Sequence, residues 1–145
     1  MAEELYAARL AVEPAAVSHS VASRGPGVLT TARQSLERAQ ALIAEDDCDF
    51  AELGLANRNF HRELYAVGGN SFLCDFVDQL YDLTTLVATT GWRIMATFSK
   101  EAEEHQAILQ AAEAGESDRA YDLLRAHIET SAEVVSSVLG SRGGS

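Results

Sequence analysis

Apolar residues recur at three- and four-residue intervals along most of the chain, the spacing of helices that each bury one face. Leu53, Ala56, Phe60, Leu64 and Val67 form one such stripe. Leu73, Val77, Leu80, Thr84, Val87 and Gly91 form a near-heptad seam in which Thr84 is the only hydroxyl. His105, Ile108, Leu109 and Ala112 make a third stripe, and Ala120, Leu123, Leu124, His127, Ser131 and Val134 a fourth. No stretch alternates apolar and polar residues over the length of a strand, and no Asn-Gly or Asp-Gly hairpin turn occurs. Breaks fall at Gly25-Pro26-Gly27, Gly68-Gly69-Asn70, Ala114-Gly115-Glu116 and from Gly140 onward. The pattern predicts helices near 3–23, with a bend at Pro14, then 28–45, 49–67, 70–96 (divisible at Gly91), 100–114 and 117–139. Segments of this length with short connections build an all-α antiparallel bundle of about six helices. Residues 1–140 are expected to form one domain and 141–145 a flexible tail.

Composition narrows the function. The 145 residues are 47% hydrophobic and 23% charged, which is globular rather than disordered. With 11 Lys and Arg against 22 Asp and Glu the net charge is −11, and no basic run offsets it, so this chain alone is not expected to bind nucleic acid. No apolar run reaches the roughly 18–20 residues of a membrane span, and Glu3-Glu4 opens the chain in place of a basic leader. A cytoplasmic protein without a membrane partner is expected. Cys48 and Cys74 lack metal-site or redox spacing and read as reduced thiols.

The chemistry rests on histidines. Asn57 and His61 are four apart, hence stacked on one helix face beside the Leu53/Phe60/Leu64 stripe. His105 precedes Gly115 by ten residues and His127 follows it by twelve. Across an antiparallel turn these lie about 15 and 18 Å from the bend, so the two imidazoles share a level. Three imidazoles and an amide oxygen suit a divalent transition metal with open positions, and such a neutral donor set would leave a site that attracts anions. The competing reading is of hydrogen-bonded core histidines without a metal. His19 fits no stripe and reads as structural or surface. Glu101, Glu103 and Glu104 read as a solvated first helical turn, and Glu104 faces a different side of its helix from His105, a poor place for a general base. Arg9 and Glu13 are spaced for an intrahelical ion pair; alternatively Arg9 turns inward and grips a carboxylate. Trp92-Arg93 could line the same cavity, although a place at the core edge suits them better.

Four motifs in order resemble one family. Leu5-Tyr6-Ala7-Ala8-Arg9-Leu10-Ala11-Val12-Glu13-Pro14 resembles the opening of the FCD domain, the effector-binding domain of FadR-subfamily GntR transcription regulators. Asn57-Arg58-Asn59-Phe60-His61 with Gly69-Asn70-Ser71-Phe72-Leu73 resembles its central motif. Glu104-His105-Gln106-Ala107-Ile108, Ala114-Gly115-Glu116 and Arg125-Ala126-His127 resemble its closing signature. The resemblance implies a bundle with a central metal and ligand cavity. It maps the metal ligands onto Asn57, His61, His105 and His127, with Asn57 where the family more often has Asp. It also implies a small organic acid as effector, with Arg9 helping to hold it.

The expectation is therefore a non-enzymatic, metal-dependent sensing domain that takes a small carboxylic acid and works as a homodimer. Zinc or nickel is the expected metal, manganese or iron the alternative. Thr84 is placed to donate a hydrogen bond to the acid or to water. The family's winged helix-turn-helix does not precede Leu5, so DNA would be contacted only through that absent N-terminal domain. The alternatives are a small metal-dependent hydrolase or hydratase acting on a carboxylate substrate, which needs a general base near a metal-bound water, and a helical interaction module without metal.

Overall fold

The computed structural model describes residues 2–94 and 97–143, with side chains for 2–88 and 97–138. Six helices follow one another: α1 (Ala2–Arg24), α2 (Thr30–Ile43), α3 (Phe50–Ala66), α4 (Ser71–Ile94), α5 (Phe98–Glu113) and α6 (Ser117–Gly143). No strand occurs among the described residues. No helix is long and apolar enough to cross a membrane.

Local chemistry explains where the site-bearing helices begin. Asp49 caps α3 by accepting from the backbone N–H groups of Ala51 and Glu52, at 3.1 and 3.2 Å. Asn70 does the same for α4, accepting from Phe72 and Leu73. Helix α1 is continuous across Pro14 and α4 across Gly91. Pro14 removes one backbone donor, but its ring is buried, and tertiary packing overrides the local penalty. Helix α6 likewise continues past Gly140 to Gly143, into the segment read as a tail; a lone glycine weakens a helix by only ~1 kcal/mol.

Helix α1 packs against α6, α4 and α3, while α5 joins α2 to α6. The main core gathers Tyr6, Val17, Val21, Phe60, Leu64, Tyr65, Val77, Ile108, Leu124 and Ile128, all buried. A smaller cluster of Ala39, Leu42, Leu53 and Ala56 lies between α2 and α3.

The α5–α6 turn sets the register of His105 against His127. Gly115 takes φ +76°, a left-handed conformation that side chains resist. An added Cβ there would also sit 2.8 Å from Cγ of Pro26. The turn is clasped from the α1–α2 loop, where Gly27 N–H donates to the Glu113 carbonyl at 2.9 Å, and from the first turn of α2, where Arg33 pairs with the Glu113 carboxylate at 2.6 Å. Gly115→Ala is therefore expected to lower stability by roughly 1–3 kcal/mol, measurable as a fall in urea midpoint at constant m.

Candidate metal centre

Three helices deliver one imidazole each to a common point. His61 comes from the buried face of α3, His105 from α5 and His127 from α6, and all three are buried. Nε2 of His105 lies 3.0 Å from Nε2 of His61 and 3.1 Å from Nε2 of His127. One ligand atom from each residue can be chosen so that all lie within 4.8 Å of one another. The cluster is held in aromatic packing: Phe60 stacks on His105 at 4.7 Å, and Tyr81 tilts over His61 at 4.8 Å.

Carboxylates behind the rings determine which nitrogens face inward. Glu13 Oε1 is 2.7 Å from Nδ1 of His61, and Glu104 Oε1 is 3.1 Å from Nδ1 of His127. Burial alone would raise the Glu13 carboxyl, but Arg9 and His61 outweigh it and bring it down to about 2. Glu13 is therefore an ionised acceptor, and Nδ1 of His61 must carry the proton. Burial is also the main force on His61, bringing it down to about 4 against the pull of Glu13. It takes His105 well below its ordinary value, with the charges of His127 and His61 acting in the same direction.

Three uncharged rings would contain a conflict. With Nδ1 of His61 and of His127 both donating outward, each Nε2 presents a lone pair inward. His105 Nε2 stands between them and can supply one proton at most, so one inward lone pair has no hydrogen to accept. A cation would satisfy all three nitrogens together. A tetrahedral metal with ~2.0–2.1 Å bonds to nitrogen spaces its ligands roughly 3.3 Å apart, close to the two separations from His105 Nε2, while the three ligand atoms together lie within 4.8 Å of one another. The donor set fits a borderline-soft divalent ion.

Around this cluster lies a small cavity lined by Tyr6, Arg9, Asn57, Tyr81, Thr84 and Glu101, with His105 and His127. Its free volume is about 20 Å³. Asn57, one turn before His61 on α3, is buried and faces this cavity. Arg9 is buried as well. Its Nε donates to Glu13 Oε2 at 2.8 Å, while Nη2, 2.8 Å from the same oxygen, is not aligned to donate and has no hydrogen-bond acceptor. Tyr6 and Tyr81 cover the guanidinium, their ring centres 5.3 and 4.8 Å away.

Arg9 thus makes the intrahelical ion pair with Glu13 while being turned inward beside the cavity. Thr84 reaches the cavity, yet its hydroxyl already donates to the Leu80 carbonyl at 2.9 Å, which leaves it lone pairs to offer there rather than a proton. Glu104 requires a correction. Its direction does differ from that of His105, but α6 lies on that side, and the side chain reaches His127 instead of standing in solvent. Glu13 was assigned only an ion pair by sequence and proves to hold His61 too; an acidic residue inside an apolar turn was the available signal. His19 is exposed. The Trp92 and Arg93 side chains lie outside those described.

None of the curated protein sequences matches the chain. The fold is similar to that of a GntR-family transcriptional regulator from Pseudomonas syringae pv. tomato str. DC3000, with a TM-score of 0.78 at 22% identity. That match covers 99% of this chain and 58% of the regulator, so the chain spans little more than half of its structural relative. The FCD domain family matches residues 4–130, which include Arg9, Asn57, His61, His105 and His127, and the chain belongs to that family.

Proposed function

We propose that the chain is the effector-sensing module of a GntR-type transcription regulator. Asn57, His61, His105 and His127 would hold a divalent metal, zinc or nickel, and Arg9 would help it take the carboxylate of a small organic acid. The observation that carries this reading is the close approach of three imidazole Nε2 atoms, at 3.0 and 3.1 Å, beside a buried guanidinium N–H that lacks an acceptor. Both are satisfied by a cation and an anion entering together. When bound, the metal would supply two positive charges and an open position for oxygen.

The chain's own residues explain selectivity. A guest with no acceptor oxygen would leave the Arg9 Nη2 donor unpaired, a penalty of about 1–3 kcal/mol. A carboxylate accepts from it directly. Glu13 and Glu104 are engaged in orienting imidazoles, which favours binding over hydrolysis. A free volume of 20 Å³ holds about one water and no organic acid. An acid must therefore displace the walls supplied by α1, α4 and α5, and that displacement is the signal passed to an attached DNA-binding domain. In the parent regulator two such modules would work as a homodimer, so that the displacement changes the spacing of two DNA-binding domains.

Titration calorimetry of metal-loaded protein with a panel of mono- and dicarboxylates tests this. Arg9→Lys keeps the charge but loses the planar fork, and is expected to weaken the best acid about tenfold, ~1.4 kcal/mol. Equal affinity in wild type and Arg9→Lys would remove Arg9 from the effector site and leave it as the partner of Glu13.

A further inference from the structure

Helix α4 carries a second apolar face, turned away from the core. Phe72 is 74% exposed, Phe76 54%, Leu83 50% and Leu86 70%. At 100° per residue these four side chains and the exposed Gln79 fall within roughly 80° of the helix circumference. They form one continuous stripe of on the order of 450 Å² of apolar surface, the size of the largest patch on a typical monomer, and such patches are often functional. The side chain of Val77, on the far side of α4, is fully buried, so the stripe is not a helix face left over from poor packing.

The order of residues along the stripe says what fits it. Phe72 and Leu86 lie seven residues on either side of Gln79, and Phe76 and Leu83 lie three and four residues from it. Two copies of α4 laid antiparallel across Gln79 would therefore set Phe72 against Leu86 of the partner subunit and Phe76 against Leu83 of the partner subunit. Aromatic rings would meet the smaller leucines at every contact, and two Gln79 amides would meet on the axis. This is the self-complementarity that a two-fold interface requires. A polar residue at the centre fixes the register. Beside the stripe, Arg58 pairs with Asp82 at 2.8 Å and Arg62 with Asp78 at 3.3 Å, which partly neutralises one flank of a strongly acidic chain. A stable interface needs about 800 Å² per partner, a little over half of it apolar, and the stripe supplies that share.

We propose that the exposed face of α4 is the surface through which two copies of this chain pair, antiparallel and centred on Gln79. The inference rests on the homodimer reading and assigns its contact surface; it does not depend on the metal. Sedimentation equilibrium of the full chain over a concentration series reads it. Wild type should sediment at twice the monomer mass at tens of micromolar. Phe76→Glu, an exposed position, should keep the helical circular dichroism of wild type and raise the dimer dissociation constant on the order of a hundredfold. Leu55→Glu, an exposed apolar residue on α3 away from the stripe, should leave the dimer intact. For orientation, Gln79→Cys with Cys48 and Cys74 replaced by Ser should oxidise to a covalent dimer, whereas Phe72→Cys in the same background should not. A monomeric wild type would overturn the homodimer reading and this surface with it. A dimer indifferent to Phe76→Glu would overturn the surface alone, and efficient cross-linking at Phe72→Cys would overturn the antiparallel arrangement.

Discussion

Glu13→Ala is expected to cost about 3–5 kcal/mol of folding stability, the largest effect of any single change near the cavity. The Glu13 carboxylate is fully buried between two donors, Nε of Arg9 at 2.8 Å and Nδ1 of His61 at 2.7 Å. Its removal strands a guanidinium that burial already disfavours and that Glu13 keeps charged. It also frees the His61 proton that fixes which ring nitrogen faces inward. Urea denaturation should show a lowered midpoint with m unchanged. Pairing the change with Arg9→Met removes both charges together, and the double variant should regain most of the loss. A Glu13→Ala protein within ~1 kcal/mol of wild type would mean that water, not Glu13, satisfies Arg9.

The second large effect concerns metal. Zinc at a hundredfold excess over its dissociation constant should stabilise the chain by about 2.7 kcal/mol, and EDTA should remove the gain. His105→Ala takes away the central nitrogen of the three, and its zinc response should vanish. Because loss of a ring stacked on Phe60 also leaves a hole, the relevant quantity is the difference between zinc and EDTA within each variant. Glu104→Gln leaves the imidazole in place but weakens its orientation and basicity, so zinc affinity should fall about 10–100-fold, with Glu104→Asp intermediate. Undiminished zinc affinity in His105→Ala would show that zinc binds elsewhere.

Much of this arrangement was legible in the sequence, because helix periodicity and turn position together fix depth. The i, i+4 spacing put Asn57 and His61 on one inward face, and the near-equal distances of His105 and His127 from Gly115 put those two imidazoles at one level; that His61 meets them there is a finding of the structure. Helix boundaries were recovered where a cap or a left-handed glycine marks them, as at Asp49, Asn70 and Gly115. Where the chain relies on tertiary packing instead, local breakers say little: Pro14 and Gly91 end neither α1 nor α4. The carboxylates behind the histidines were less visible. Which neighbour Glu104 can reach depends on how α6 lies against α5, and a one-helix projection contains no such information. The outward stripe of α4 was hidden for a different reason: its Phe and Leu spacing is helical too, and a single period cannot say which of two apolar faces is buried.

The central claim is that the three imidazoles converge in order to hold one ion. Anomalous diffraction at the zinc edge, from crystals of protein loaded with one equivalent of zinc, tests it most directly. The expected result is a single strong peak per chain, ~2.0–2.1 Å from Nε2 of His61, His105 and His127. Stoichiometric zinc located away from these nitrogens, or none retained while the three rings keep their hydrogen-bonded positions, would contradict it.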